Sequence, residues 1–282
     1  MKEQEQENRI PKIIHYCWFG GKPLPPDLKE CVDSWKQLEG YQIIEWNESN
    51  CSFDENEFVR RTYADRQLGF IGDYYRLKAV YEHGGIYLDT DVKVFRDFEP
   101  LLKHKAFLNF IFDCSVGSAV IGAEPGNPFI GSLLKMYEDT VFEGNTGKKV
   151  FEQKDGRLCV NGYATSNYYY TYYMLKHYPS FRLNNKFQDM GDFVIYPKEY
   201  FEIGSLLDRQ YTIHYCAGAW RIKTDDGKSL KARVKRALKA MPWLFRKVQI
   251  VVRRRRYRVL KKEIPFYPYY VAQKKGKELP EL

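Results

Sequence analysis

Two aspartates, Asp89 and Asp91, stand one residue apart at the end of a short apolar run. The run, residues 86–88, is aliphatic and aromatic, which is typical of a buried strand. Since side chains at positions i and i+2 of a strand point to the same side, both carboxylates are expected to leave the sheet together. Two like charges this close favour a divalent cation, which offsets their repulsion and can also hold a diphosphate.

A helix is predicted immediately before this strand, from about Ile71 to His83, ending where Gly84 can adopt a left-handed conformation. Asp73 and Arg76 are three residues apart and therefore share one face of that helix. Taken alone, the pair is as compatible with an exposed ion pair as with a functional one. Because the helix leads directly into the D-x-D strand, its polar face is expected to border the same cleft.

The first part of the chain alternates strand, helix and strand, which predicts parallel pairing and a right-handed crossover. The strands are residues 12–19 and 41–46, with a helix starting near Pro26 between them. A late strand, residues 211–216, carries His214 just before a Gly- and Trp-containing turn. From the residues alone, His214 as a metal ligand and His214 as a structural residue both remain open.

With 282 residues and 44% hydrophobic content, the chain can bury the core of one larger α/β domain. The six cysteines form no C-x-x-C pair, so we expect buried free thiols of a reducing compartment. The polar first nine residues and the lack of a long apolar run predict a cytoplasmic protein without a signal peptide or membrane span.

Positive charge is concentrated near the C-terminus. Of the formal net charge of +9, fifteen Lys or Arg lie between Lys228 and Lys262 with no Asp or Glu, so the rest of the chain carries −6. This distribution argues against nucleic-acid binding by the globular part. We predict a catalytic domain at residues 1–225 and a basic amphipathic helical tail at residues 226–282, broken near Pro242. The tail is expected either to lie on an anionic membrane, at the inner face of the cell membrane, or to pack on the body.

Four ordered segments together resemble glycosyltransferase family 32, which includes bacterial capsule and lipopolysaccharide transferases and fungal mannosyltransferases. The pattern also resembles the glucosyltransferase domains of large clostridial toxins. The segments are IPKIIHYCWFGG at 10–21, DYYR at 73–76, GGIYLDTD at 84–91, and His214 with Trp220. The resemblance covers roughly residues 10–220 and implies a GT-A fold, an α/β Rossmann-like mixed sheet flanked by helices.

The resemblance also implies a retaining hexosyltransferase that uses a nucleotide-sugar donor and a divalent metal, Mn²⁺ or alternatively Mg²⁺. A UDP-sugar is expected in preference to a GDP-sugar. The expected acceptor is a polysaccharide or a lipid-linked oligosaccharide in the synthesis of surface polysaccharide, such as capsule or lipopolysaccharide. Front-face attack by the acceptor is the family-level expectation, and no residue is assigned as nucleophile.

Carried over motif by motif, the resemblance assigns the donor contacts. Trp18 would stack on the nucleobase, and Tyr87 would line the pocket. Asp73 and Arg76 would hold the donor sugar. Asp89 would contact the ribose and the sugar, partly through the water shell of the metal.

The same resemblance assigns the metal site. Asp91 would bind the metal through its carboxylate, His214 would complete the metal or diphosphate site, and Trp220 would close over the phosphates. The family commonly ends this last motif with Ser-Trp, whereas this chain has Ala219 before Trp220. One hydroxyl contact to metal or phosphate is therefore missing.

Two other functions compete with this interpretation. A haloacid-dehalogenase-type phosphatase would use Asp89 as nucleophile, but it needs a later acidic pair on a strand, and Asp225-Asp226 lies in a polar turn. A non-enzymatic, basic-tailed adaptor for membranes or nucleic acid leaves the acidic cleft without a role.

Overall fold

The computed structural model describes residues 7–143, 151–154, 157–161, 164–216 and 241–282. The strands are β1 Ile13–Cys17, β2 Gln42–Trp46, β3 Gly85–Leu88, β4 Val92–Val94, β5 Ala106–Phe112, β6 Ser115–Val116, β7 Val120–Ala123, β8 Thr140–Glu143, β9 Phe151–Lys154, β10 Arg157–Asn161, β11 Gln188–Asp189, β12 Val194–Tyr196 and β13 Thr212–His214. The helices are α1 Pro26–Trp35, α2 Glu57–Ala64, α3 Leu68–His83, α4 Pro128–Glu138, α5 Ser166–His177, α6 Lys198–Phe201, α7 Pro242–Leu260 and α8 Tyr267–Lys275.

An eight-stranded mixed sheet forms the centre of the molecule, in the order β11-β12-β5-β7-β3-β1-β2, with β6 paired to β5. As predicted, β1 and β2 are parallel and are joined by α1. β1 also pairs in parallel with β3, whereas β7 pairs antiparallel with both β3 and β5. The predicted α/β architecture, a mixed sheet flanked by helices, is therefore confirmed.

Apolar layers cover both faces of this sheet. Residues of α2, α3, α4 and α5 form the core on one face, and residues of α1 form part of the core on the other. Because successive side chains of a strand alternate between faces, Tyr87 of β3 lies in the layer of α3, whereas Ile86 and Leu88 lie in the opposite layer. The alternation thus directs Tyr87 toward the helix that carries Asp73 and Arg76.

Two smaller sheets complete the described fold. β4 pairs antiparallel with β13, with His214 opposite Val92. β10 lies between β8 and β9, and β9 and β10 are antiparallel, as expected for a hairpin. The β4–β13 pair matters most for the site, because it brings a late strand next to the D-x-D turn.

The described part of the basic tail packs on the body of the protein. α7 begins at Pro242, and its Tyr257 is buried against Phe112, at 4.8 Å between ring centroids, and against Ile203. Residues 228–240 and the predicted boundary at residue 225 lie outside the described residues. Among the residues that the structure describes, no helix combines the length and apolarity needed to cross a bilayer.

Five cysteines have described side chains, and all five are free. Cys31 and Cys114 are buried, as predicted, and Cys17 and Cys51 are half-buried. The prediction is wrong for Cys216, which is exposed because it lies beyond the end of β13.

Candidate active site

Asp89 and Asp91 lie at the C-terminal end of β3, where the chain turns into β4. The backbone N–H of Asp89 donates to the carbonyl of Ala119 (2.9 Å), and the N–H of Val92 donates to the carbonyl of Asp89 (2.9 Å). These two bonds fix the backbone on both sides of Thr90. The D-x-D turn is therefore held by backbone hydrogen bonds rather than by its two carboxylates.

The start of β3 requires glycine. Gly85 has φ +98°, and a Cβ there would lie 2.6 Å from the carbonyl oxygen of Ile13 on β1. The neighbouring His15 is fully buried, with Nε2 at 2.8 Å from the carbonyl of Gly84 and Nδ1 at 3.1 Å from the indole N–H of Trp46. Since Nδ1 accepts and Nε2 donates, this imidazole is neutral, and burial lowers its pKa to about 4.

A buried ion pair on α3 contacts the D-x-D turn. Asp73 and Arg76 are 6% and 5% exposed, and Asp73 Oδ1 lies 2.7 Å from Arg76 Nη2. Arg76 Nη1 also lies 3.2 Å from Asp89 Oδ1. The prediction that the polar face of this helix borders the D-x-D strand is confirmed, and the alternative of an exposed ion pair is wrong.

Two serines and a tyrosine complete this network. Ser166, at the start of α5, donates to Asp73 Oδ1 at 2.8 Å, and the guanidinium of Arg76 donates to the carbonyl of Ser118 at 2.7 Å. The hydroxyl of Tyr87 donates to an Asp89 carboxylate oxygen at 2.9 Å. The guanidinium of Arg76 also lies over the ring of Tyr87, 4.8 Å from its centroid. Buried charges that are fully paired in this way have one preferred geometry.

The pKa values follow from this burial and pairing. Burial raises the pKa of the Asp73 carboxyl to about 6, against the opposing effect of the Arg76 charge. Burial alone would lower the pKa of Arg76, but the carboxylates of Asp89 and Asp73 raise it well above its ordinary value. Arg76 therefore stays a cation next to the candidate donor site.

A second cluster joins the D-x-D turn to β13. Oxygen atoms of Asp89 and Asp91 and a ring nitrogen of His214 all lie within 4.8 Å of one another. The N–H of Tyr215 donates to the carbonyl of Asp91 (2.9 Å), and His214 Nε2 lies 3.2 Å from Asp91 Oδ1. The antiparallel pairing of β4 and β13 thus brings the predicted metal residues together. Their roles as metal ligands remain a prediction.

Glu202 orients the imidazole of His214. It follows α6 and is fully buried, and its Oε2 lies 2.8 Å from His214 Nδ1. With Nδ1–H donating to Glu202, Nε2 faces Asp91, and metal-binding histidines are commonly oriented in this way by a carboxylate that accepts from the other ring nitrogen. Burial alone would lower the pKa of His214, but the acidic groups of Cys216, Glu202 and Asp91 raise it well above its ordinary value.

The C-terminal helix also reaches this cluster. Arg253 of α7 donates to the carbonyl of His214 at 2.6 Å, and the same nitrogen lies 3.4 Å from the carbonyl of Glu202. Its guanidinium stacks on Tyr215 at 4.8 Å from the ring centroid. The positions of His214 and Glu202 therefore depend partly on α7.

Trp18 directly follows β1, at the same edge of the sheet as the D-x-D turn, because β1 and β3 are parallel. It is half-buried, and its indole N–H donates to the carbonyl of Lys22 at 2.5 Å. Trp220 lies outside the described residues, as do Ala219 and the Asp225-Asp226 pair of the phosphatase hypothesis. The base-stacking and phosphate-closing roles remain predictions.

Comparison with known families identifies the region around this site. A family described as "Glycosyltransferase sugar-binding region containing DXD motif" matches residues 25–108. That range includes α3, β3 and both aspartates of the D-x-D turn.

Three fungal proteins resemble part of the chain. Inositol phosphoceramide mannosyltransferase 3 of Schizosaccharomyces pombe is 28% identical over 142 residues, which is 46% of this chain and 38% of that protein. The mannosyl phosphorylinositol ceramide synthases CSH1 and SUR1 of Saccharomyces cerevisiae are 29% identical, over 45% of this chain and 35% and 34% of their own lengths. The match thus spans little more than a third of these relatives.

Two solved structures align more loosely. The PaToxG glycosyltransferase has a TM-score of 0.39 at 17% identity, covering 46% of this chain and 59% of that chain. A glycosyltransferase involved in the glycosylation of the major capsid of PBCV-1 has a TM-score of 0.36 at 10% identity, covering 73% and 94%. At these scores neither alignment carries an argument.

Proposed function

We propose that this chain, whose residues 25–108 match the glycosyltransferase sugar-binding region containing a D-x-D motif, is a metal-dependent, retaining hexosyltransferase. It transfers a sugar from a nucleotide sugar to a polysaccharide or lipid-linked glycan acceptor of surface-polysaccharide synthesis. One observation carries the proposal: the D-x-D carboxylates, His214 and the buried Asp73–Arg76 pair meet at one edge of the sheet.

The oxygen and nitrogen atoms that converge at this site are suitable ligands for a divalent cation. Two carboxylates and one imidazole converge within 4.8 Å, and such oxygen and nitrogen ligands fit Mn²⁺ and, less fully, Mg²⁺. In this proposal Asp91 and His214 hold the ion, and Asp89 reaches the ribose and the sugar. An ion held there would supply positive charge against the negative charge that develops on the departing nucleoside diphosphate.

Arg76 and its partners supply a rigid environment for the donor sugar. Four acceptors hold the guanidinium: oxygens of Asp73, Asp89 and Ser118 at 2.7, 3.2 and 2.7 Å, and the carbonyl of Gly72 at 3.2 Å. A charge held in place before the substrate arrives needs no reorganisation during the reaction, which is the main source of electrostatic catalysis. We propose that Asp73 and Arg76 fix the donor sugar, while Tyr87 keeps the Asp89 carboxylate in one orientation.

The identity of the donor is a further part of the proposal. Trp18 can stack on any nucleobase, because every base has an apolar face, so a UDP-sugar remains the first candidate on the resemblance alone. The fungal relatives are named for mannosyl transfer to inositol phosphoceramide, which supports a lipid-linked acceptor and adds GDP-mannose to the donors to be tested.

The decisive experiment compares Asp91→Asn with the parent chain. Nucleoside diphosphate release from a panel of UDP- and GDP-sugars is measured with Mn²⁺, with Mg²⁺ and with EDTA. The substitution is expected to lower Mn²⁺-dependent turnover about 100-fold or more and to weaken Mn²⁺ binding in calorimetry. Asp27→Asn, at an exposed position in the first turn of α1, is the matched control and should leave both quantities unchanged.

Several results would contradict the proposal. Turnover by the parent chain that survives EDTA would refute the metal site, and an inverted anomeric configuration in the product, determined by NMR, would refute retention. Release of phosphate from phosphomonoesters, abolished by Asp89→Asn, would favour the phosphatase instead.

A further inference from the structure

The inner face of α7 fixes this helix on the protein. Ile250 and Tyr257 are 1% and 8% exposed, and Arg253 donates to the carbonyl of His214. These residues recur at spacings of three and four and therefore lie on one side of the helix. At the edge of the same side, Arg246 forms an ion pair with Asp208 at 2.9 Å. α7 is thus held by apolar and charged contacts between Arg246 and Tyr257.

The outer face of α7 is apolar and exposed. Val248, Val251, Val252 and Val259 are 37%, 54%, 60% and 61% exposed. Their spacing places them together on the side opposite Tyr257, and helix geometry puts Arg255 among them. Four exposed valines on one stripe are more than the scattered apolar residues of an ordinary surface. The outer face of α7 comprises these four valines with Arg255 and its neighbours Arg256 and Arg258.

Every charged group on this outer face is positive. Arg255, Arg256 and Arg258 are exposed, and the sequence between Lys228 and Lys262 contains no Asp or Glu. A second copy of the same face would bring arginines against arginines, which is repulsive. A nucleic acid would pair with the arginines, but it would leave the valines without an apolar partner. A surface that offers both negative charge and hydrocarbon satisfies both parts of the face.

We propose that the outer face of α7 lies on an anionic membrane surface, with the valines at the boundary of the acyl chains and the arginines among the headgroups. This is the known physical behaviour of basic amphipathic helices that lie in the interface plane. The structure thereby combines the two roles considered for the tail, because the inner face packs on the body and the outer face meets the lipid. The proposal rests on α7 alone and does not depend on the chemistry of the donor site.

Co-sedimentation of the full chain with vesicles tests this proposal. The vesicles contain phosphatidylcholine, either alone or with about 30% phosphatidylserine. The parent chain is expected to bind only the anionic vesicles. Arg255→Glu with Arg256→Glu should weaken this binding about tenfold or more, because each basic residue near an anionic membrane contributes about 1 kcal/mol to the binding free energy. The matched control is Lys274→Glu with Lys275→Glu, two exposed residues at the end of α8, with the same change in net charge and little expected effect.

A second variant separates lipid insertion from attraction to any polyanion. Val251→Ser with Val252→Ser keeps every charge, and about tenfold weaker vesicle binding is expected, because apolar area no longer leaves water. Donor hydrolysis without vesicles should be the same in all these variants, which separates this proposal from the proposed function.

Three outcomes would overturn the proposal that this face binds a membrane. The first is an equal loss of vesicle binding in the arginine variant and in the lysine control. The second is unchanged vesicle binding by the valine variant together with tight binding of the parent to duplex DNA, which would indicate a polyanion site. The third is a dimer, detected by light scattering, that the valine variant abolishes, which would mean that a second copy covers the face.

Discussion

Glu202→Gln is the most informative single change at the candidate metal site. Glu202 lies outside the cluster of Asp89, Asp91 and His214. Its Oε2 contacts the Nδ1 of His214 at 2.8 Å, and its Oε1 accepts from the Asn109 amide at 3.3 Å. Glutamine has the same size, and its carbonyl can still accept the Nδ1–H. The substitution therefore removes a charge behind the histidine and keeps the volume of this fully buried side chain, while its amide group replaces the Oε1 acceptor of Asn109.

The size of the effect follows from this position. Loss of a side chain that orients a metal-binding histidine typically weakens metal binding about 10- to 100-fold, or roughly 1.4–2.7 kcal/mol. Glu202 has no exposure to solvent, so salt screens its charge little, and the upper half of that range is expected. His214 becomes a weaker and less well oriented ligand, while Asp91 is unaffected.

Calorimetric titration of the full chain with Mn²⁺ measures this effect directly. Donor hydrolysis is then followed against Mn²⁺ concentration. The concentration needed for half-maximal turnover should rise by the same factor as the dissociation constant, and kcat at saturating Mn²⁺ should stay close to that of the parent. Glu39→Gln, at an exposed position after α1, is the matched control and should change neither value.

Two results would refute this reasoning. Mn²⁺ affinity within about twofold of the parent would mean that Glu202 does not orient a ligand. A fall in kcat that saturating Mn²⁺ does not restore would mean that Glu202 acts on the reaction by another route.

Two further predictions concern stability. Arg76→Met leaves the buried Asp73 carboxylate without its cation and should lower the free energy of unfolding by about 3–5 kcal/mol. In urea titration, Asp73→Asn should lower the free energy of unfolding by less in this variant than in the parent chain. Strictly additive losses would contradict the pairing. His15 has a pKa of about 4 in the folded chain and about 6.5 when unfolded, so its stabilising contribution is present above pH 6.5 and is lost as the pH falls toward 4. This contribution is about 3 kcal/mol; His15→Gln should flatten the corresponding slope of stability against pH, and an unchanged slope would contradict the assignment.

Local features of the site could be predicted from the sequence. A helix ending at Gly84, a short buried strand and two carboxylates at its end all depend on neighbouring residues, and the structure has each of them. The spacing of Asp73 and Arg76 likewise placed both on one side of α3. Their burial was not predictable, because it depends on Ser166 of α5, which is far away in the sequence.

The long-range parts of the site could not be predicted. No pattern in β4 or β13 indicates that these two short strands pair with each other, although this pairing brings His214 to Asp91. Glu202 lies in an ordinary segment after α6, and no spacing distinguishes it from the other glutamates of the chain. The amphipathic character of the tail was visible, but which side of α7 would be buried depended on the surface formed by Phe112 and Ile203.

The hydrogen bond from Arg253 to the carbonyl of His214 has a consequence for the construction of chimeric enzymes. A C-terminal segment taken from another transferase would bring its own surface properties. It would also replace the guanidinium of Arg253, whose hydrogen bond holds the end of β13. A graft that lacks an arginine at position 253 should produce a folded protein that binds Mn²⁺ more weakly in calorimetric titration. Within α7, the exchangeable part is therefore the side that faces the solvent.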